Sequence, residues 1–341
     1  MLPTTLPDPE LFTSGSGEPA LRWGVLGPGW IAGEFVTAMR KHTAQLPVAV
    51  GSRSAERAGA FAAQHGMDRS HGSYEALVAD PEVDVVYIAT PQSEHLKLGL
   101  LALAAGKHVM IEKPLAMNAT ETRELVDAAH AADRLLMEAM WFRYLPQASV
   151  IRTLLADGVL GTIHGVHAEH GQPIPFDPAH RLYRPELGGG AMLDLGIYPV
   201  QLDSMVLGAP QVVTATGGRS STGVDAFATV VLGHGDGVQS TLTTTLLART
   251  PNRATIFGDQ ARIEMSEFFY TPSAFRLLDN SHGGAGLEFT DPSGLELFDG
   301  LSWEATALAR YVGEGRRESP LHTLAETVEI AATMDAALAQ F

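Results

Sequence analysis

The chain has 341 residues, 45% hydrophobic and 18% charged, and 23 Lys+Arg against 39 Asp+Glu give a net charge of −16. That length suits two domains with buried cores, and the acidic balance argues against a nucleic-acid or anionic-membrane face as the main business. With no cysteine the chain has no disulfide, thiolate metal site or cysteine nucleophile, and no apolar run is long enough to span a bilayer.

Residues 1–20 hold four prolines and the stretch Ser14-Gly15-Ser16-Gly17, without the basic start and apolar centre of a signal peptide. They read as a flexible tail on a cytoplasmic protein. A first strand, Leu21–Leu26, runs into Gly27-Pro28-Gly29-Trp30-Ile31-Ala32, a G-x-G-x-x-A pattern. Gly27 permits a tight turn, Gly29 lets a pyrophosphate approach the backbone, and Ala32 lets helix pack on strand. The helix near Trp30 to Lys41 points its positive end at the phosphates, making Gly27, Gly29, Trp30 and Ile31 candidate cofactor contacts. A second strand, Pro47–Gly51, ends in Ser52-Arg53-Ser54-Ala55-Glu56-Arg57, with no acid at its tip to hold ribose hydroxyls. Ser52, Arg53 and Arg57 suit a 2′-phosphate, so NADP is expected, with NAD as the alternative if the arginines only decorate a solvated helix.

Helices are expected over 54–66 and 73–79, then a buried strand Val83–Ala89 that ends in Thr90 and Pro91 beside His95, three further cofactor candidates. A helix over 95–105 leads through Gly106 to the apolar run Val109-Met110-Ile111, which stops at Glu112-Lys113-Pro114. A lysine at the carboxyl end of a sheet strand is a candidate proton donor. Asn118 caps a helix to about Ala132 and Leu135–Ala139 forms another strand. Trp141, Phe142 and Arg143 then leave the domain, serving interdomain packing or ligand contact. This alternation of strand and helix implies a doubly wound parallel sheet over residues 21–140.

Gly27-x-Gly29, Glu112-Lys113-Pro114 and Gly188-Gly189-Gly190-Ala191-Met192-Leu193-Asp194-Leu195-Gly196-Ile197-Tyr198 together resemble the glucose–fructose oxidoreductase / inositol dehydrogenase / rhizopine-catabolism (Gfo/Idh/MocA) family. Met137-Glu138-Ala139-Met140-Trp141-x-Arg143 resembles the branch holding dimeric dihydrodiol dehydrogenases and NADP-dependent D-xylose dehydrogenases. The resemblance implies an α/β architecture, with an N-terminal Rossmann domain and a C-terminal α/β domain (141–341) built on a large open, mostly antiparallel sheet. It implies hydride transfer between a nicotinamide and a hydroxyl-bearing carbon of a sugar, cyclic polyol or dihydrodiol, in a homodimer or homotetramer joined through that sheet. It places Lys113 beside the nicotinamide and the reacting hydroxyl, and Tyr198 where many members carry histidine. Glu112, Trp141 and Arg143 fall on the cofactor side, and Phe142, Tyr183, Asp194, Tyr198 and Lys113 on the substrate side.

Oxidising an alcohol requires removal of a proton as the hydride leaves. A phenol with a pKa near ~10 is a poor base at neutral pH, and a neighbouring lysine cation favours its ionised form. Tyr198 is therefore the expected acid/base with Lys113 as electrostatic partner, the reverse assignment staying open. Asp194 shares a helical face with Tyr198 at i, i+4, as substrate contact or helix brace.

In the second half, 146–157 reads as a helix and Ile163–His170 as a strand. His164 and His170 would face one way and His167 the other, which argues against a metal site. Tyr183 and Arg184 lie on a loop leading into the site. Strands follow near 211–216, 226–232, 238–246, 253–257, 261–265 and 274–278, then helices over 301–313 and 321–340, the last packing back on the N-terminal domain. No metal is expected. A non-catalytic nicotinamide-binding regulator is the reading from a different class, and retention of Lys113 and Tyr198 argues against it.

Overall fold

The computed structural model describes residues 2–341 and divides the chain into two compact units. The first comprises residues 11–144 with 296–328; the second comprises 145–295 and 329–341, with the N-terminal residues through Glu10.

The first unit alternates strand and helix. Its strands are β1 (Arg22–Leu26), β2 (Leu46–Gly51), β3 (Arg69–His71), β4 (Val85–Ile88), β5 (His108–Glu112) and β6 (Leu136–Ala139). Between them run α1 (Trp30–His42), α2 (Ala55–His65), α3 (Tyr74–Val78), α4 (His95–Ala104) and α5 (Ala119–Ala132). The sheet is parallel throughout, in the order β3-β2-β1-β4-β5-β6. All four residues of β4 are buried, as a strand covered by helices on both faces must be. Strand order reverses between β1 and β4, and ligands of such sheets bind beyond the carboxyl strand ends at that point. Gly27, Thr90 and Lys113 all sit just past those ends. The edge strand β3 was not expected, because Arg69-Ser70-His71 carries no apolar signal. It forms by pairing with β2, while Arg69 and His71 both bond the buried carboxyl of Asp80, at 2.7 and 3.0 Å.

The second unit begins with α6 (Pro146–Ala156) and β7 (Ile163–Gly171), followed by a π turn, Met192–Gly196, that leads into α7 (Ile197–Leu207). Strands β8 (Val212–Arg219), β9 (Asp225–Gly233), β10 (Gln239–Thr245), β11 (Ala254–Gly258), β12 (Ala261–Met265), β13 (Phe275–Asp279) and β14 (Gly286–Phe289) complete its sheet. The order is β14-β13-β12-β11-β7-β10-β9-β8, antiparallel except for the β7–β10 pair. Helix α8 (Leu301–Gly313) lies in the first unit, and α9 (Leu324–Leu338) starts there, with Leu324 and Val328 packed into its core. Alternation sorts the sheet's side chains: Ala226, Ala228, Val230 and Leu232 point inward, whereas Phe227 is exposed and Val231 half-buried.

One facing expectation is overturned. His164 is exposed and His170 buried, because the β7–β11 register slips between Phe257 and Gly258, and a one-residue slip exchanges faces. His167 is exposed and packs its ring on Phe257.

Candidate active site

In the first unit the turn after β1 depends on one glycine. Gly27 has φ +93°, and a Cβ there would lie 2.7 Å from the Ala89 carbonyl oxygen. A Cβ on Gly29 would meet nothing closer than 3.9 Å, which leaves its backbone open to a ligand. Gly29 precedes α1 without a side-chain cap, so the amides of the first turn are offered outward. Trp30 is 65% exposed and sets its ring perpendicular to Phe298, which in turn stacks on Trp141. Past β2, Ser52 is buried and accepts the Ser54 N–H at 3.2 Å, while Arg53 and Arg57 are exposed. Burial pushes the Tyr74 phenol upward, and the charges of Arg53 and Arg57, which oppose that shift, show both cations near this one ring. A glycine cradle, an uncapped helix start and two surface cations fit a dinucleotide carrying an extra phosphate.

Lys113 leaves the end of β5 half-buried, through a cis peptide to Pro114. Beside it, Glu112 accepts the hydroxyl proton of Tyr87 from β4. His95 is fully buried, with Nδ1 3.0 Å from the Pro114 carbonyl and Nε2 2.9 Å from the Thr90 carbonyl. It therefore ties the turn after β4 to the turn after β5, and burial holds its pKa down against those carbonyls. Its place in the site is that of a brace behind Thr90, Pro91 and Lys113. Glu138, also fully buried, accepts the Leu115 N–H at 2.8 Å. Phe142 and Arg143 are buried as well, and the Arg143 guanidinium is engaged by Glu326 at 2.6 Å and by the Leu321 carbonyl.

In the second unit the triple glycine is built for close approach. Gly188 has φ +79°, a Cβ on Gly189 would stand 2.7 Å from the Leu182 carbonyl oxygen, and one on Gly190 (φ +131°) would stand 2.1 Å from Oδ1 of Asp225. Asp225 in turn accepts the Met192 N–H at 2.7 Å, fixing the start of the π turn. Asp194 is thus carried on a turn wound wider than the regular α-helix expected, and Tyr198 on the first turn of α7 that follows it, both buried. Asp194 pairs with Arg181 at 3.0 Å, a cation that sequence reasoning passed over in favour of Tyr183 and Arg184. Tyr183 is buried with Leu182, Ala191 and Leu195, and its hydroxyl donates to the Ile174 carbonyl. Arg184 pairs with Glu186 at the surface. Two rings at Tyr198 were also missed: Tyr270, 4.4 Å away by centroids, and His170, 5.4 Å away. Tyr270 belongs to no motif, and His170 was weighed only as a metal ligand. Among the described residues no three His, Asp or Glu side chains gather as a metal site, and no helix is long and apolar enough to cross a membrane.

Comparison with known proteins matches residues 21–140 to an oxidoreductase family model with an NAD-binding Rossmann fold, and 149–264 to the GFO/IDH/MocA C-terminal domain. Trans-1,2-dihydrobenzene-1,2-diol dehydrogenase of Xenopus laevis is 37% identical over 325 residues, covering 94% of this chain and 98% of its own. The Bos taurus enzyme of the same name is 36% identical over 318 residues, 90% and 93% of the two chains. A 3-ketoreductase from Actinomadura kijaniata, solved with NADP and TDP-benzene, superposes with a TM-score of 0.81 at 28% identity, covering 94% and 98%. Levoglucosan dehydrogenase, solved with NADH and levoglucosan, shares the fold at 19% identity and a TM-score of 0.85, over 94% and 96%.

Proposed function

The chain belongs to the GFO/IDH/MocA oxidoreductase family, and from that premise we propose an NADP-dependent dehydrogenase of trans-dihydrodiols or sugars, cytoplasmic and active in carbohydrate or diol metabolism. The observation that carries this reading is Lys113, presented past β5 at the same strand-end edge as the Gly27 turn. The nicotinamide, when bound, supplies the hydride acceptor. The dinucleotide is held by the Gly27–Ile31 turn, Ser52, Thr90, Pro91 and Glu112, with Arg53 and Arg57 on the 2′-phosphate. We assign removal of the hydroxyl proton to Tyr198 and anchoring of a substrate hydroxyl to Lys113. Asp194, charge-balanced by Arg181, receives a second substrate hydroxyl. Copies associate as a dimer or tetramer through the outward face of the eight-stranded sheet.

The test is reduction of NADP and NAD, followed by absorbance, with trans-1,2-dihydrobenzene-1,2-diol, D-xylose and levoglucosan. The expected outcome is turnover of at least one alcohol with NADP preferred, and loss of that preference in Arg53→Ala/Arg57→Ala. Lys113→Met and Tyr198→Phe should each lose on the order of 10²-fold or more in kcat. Near-normal turnover in both would sink the assigned roles, and equal use of NAD by the wild type would sink the cofactor choice.

A further inference from the structure

Tyr198 does not stand alone in the second unit. The ring of Tyr270 lies 4.4 Å from that of Tyr198 and 4.3 Å from that of His170, each pair inclined by 27°. His170 and Tyr198 are themselves 5.4 Å apart at 54°, so the three rings close a triangle rather than a column. Phe269 and Phe268 press nearly perpendicular on Tyr270 at 5.4 and 6.4 Å. In so tight a cluster Tyr198 cannot swing its ring without displacing a neighbour.

The cluster is fastened by hydrogen bonds. The Tyr270 hydroxyl and Nε2 of His170 are 2.9 Å apart and share a hydrogen bond. The Gln172 amide approaches the same nitrogen at 3.1 Å. The backbone behind the rings is unusual. Asn252 and Phe268 both have φ +56°, a left-handed conformation rare for a residue as bulky as phenylalanine. Asn252 is buried; its Oδ1 accepts the N–H of Gly171, next to His170, and its carbonyl accepts the N–H of Phe269, next to Tyr270. The Thr271 N–H closes the strained turn on the Phe268 carbonyl at 2.8 Å. Such strain persists where the surroundings over-determine it, and it gathers at working sites. Here two left-handed residues are kept in order to bring Tyr270 against His170 and Tyr198.

We propose that Tyr270, held by His170, is the positioning residue of Tyr198, a role resting on the assignment of Tyr198 as acid/base. The phenol oxygen lies on the axis of the ring's own rotation, so its position is set by the swing of the whole ring about χ1. Packing against Tyr270 and His170 blocks that swing, so that the hydroxyl is aimed before substrate arrives. Tyr270 transfers no proton to substrate, its hydroxyl being directed to His170.

The experiment compares Tyr270→Leu, Tyr270→Trp, Tyr270→Phe, His170→Phe and the Tyr270→Phe/His170→Phe double variant, with Tyr198→Phe as reference. The substrates are the same three alcohols, with NADP. Tyr270→Leu should lower kcat by about 10- to 100-fold, the scale of a misplaced catalytic group, with the KM for NADP within about twofold. Tyr270→Trp, which restores a ring, should recover most of that loss. Tyr270→Phe and His170→Phe remove one shared bond, so each should cost roughly threefold and the double variant no more than either. Wild-type kcat in Tyr270→Leu alongside an inactive Tyr198→Phe overturns the positioning role and leaves the acid/base reading intact. An active Tyr198→Phe, or a wild type that reduces no NADP with any of the three, removes the reading beneath it. Should Tyr270→Leu fail to fold by circular dichroism, the volume-conserving Phe variants decide, and wild-type kcat in both overturns the proposal.

Discussion

Glu138 leaves β6 with its carboxyl inside the first unit, where Oε1 accepts the N–H of Leu115, two residues past Lys113. Burial pushes its pKa up to about 7, against the pull of that N–H and of the Arg143 charge. The imidazole of His322 lies 3.6 Å from Oε2, and burial holds it well below its ordinary range, so the pair is neutral near pH 6. The native protein therefore binds a proton at Glu138 that the unfolded chain has released. The stability this gives is complete below pH 4.5 and is lost as pH rises toward 7, by at most about 1.4 kcal/mol per pH unit. His322 contributes the opposite slope, losing stability as pH falls below 6.5. Glu138→Gln keeps an acceptor for Leu115 but no titrating proton. Its melting temperature, measured against wild type from pH 5 to 8, should gain on the wild type up to about pH 7 and level off beyond it; a constant difference throughout would refute the assignment. Lys113 and Tyr198 could be singled out from sequence because each belongs to a spaced motif. His95 was legible only as a position, since its role lies in two backbone carbonyls, and Tyr270 was not legible at all, since nothing local announces a ring brought in by a strained loop.

The block from Gly188 to Tyr198 ties three elements together, and its glycines are not interchangeable with glycines elsewhere. A methyl at Gly190 meets Asp225 Oδ1 at 2.1 Å with φ at +131°, and Asp225 is the acceptor that starts the π turn beneath Asp194. Gly190→Ala should therefore destabilise by roughly 2–4 kcal/mol and depress activity with it. Gly59, in mid-α2, is the control: a methyl added there would find nothing within 4 Å, and its φ is not left-handed. Gly59→Ala should stabilise by up to about 1 kcal/mol. Urea unfolding of both variants checks the contrast, and equal effects would show that close approach does not govern the block. The glycines were visible in sequence because they punctuate it, but their reason was not, since Asp225 arrives on β9. Apolar periodicity marked β1, β4, β5 and β6 plainly. It could not mark β3, which exists through pairing with β2, nor the register slip at His164 that sets it on the face opposite His170.

A net charge of −16 sets copies of this chain against one another, so any self-association must arise on a locally neutral surface. The β8–β9–β10 part of the eight-stranded sheet's outward face is such a surface, whereas Glu169 of β7 and Arg262 and Glu264 of β12 place charges on the rest of that face. Val231 of β9 stands opposite Thr241, and Thr243 opposite Thr229 and Glu169, in a field of threonine and valine flanked by exposed Val212 and Phe227. The sheet's threonine-rich strand was legible in sequence as a sheet surface, whereas which neighbours share its face required the register. Val231→Lys/Thr243→Lys makes the two causes of association pull in opposite directions. Two added cations lower the net negative charge and would ease general repulsion, strengthening any association set by overall charge. Burying those ammonium groups in a neutral interface costs several kcal/mol, and would dissociate copies that meet on this face. The expected result, by light scattering on a sizing column, is a wild type of at least twice the chain mass and a variant of single-chain mass. Binding of NADP, which depends on the first unit, should be retained. A monomeric wild type, or a variant that stays associated, would remove the sheet face as the interface.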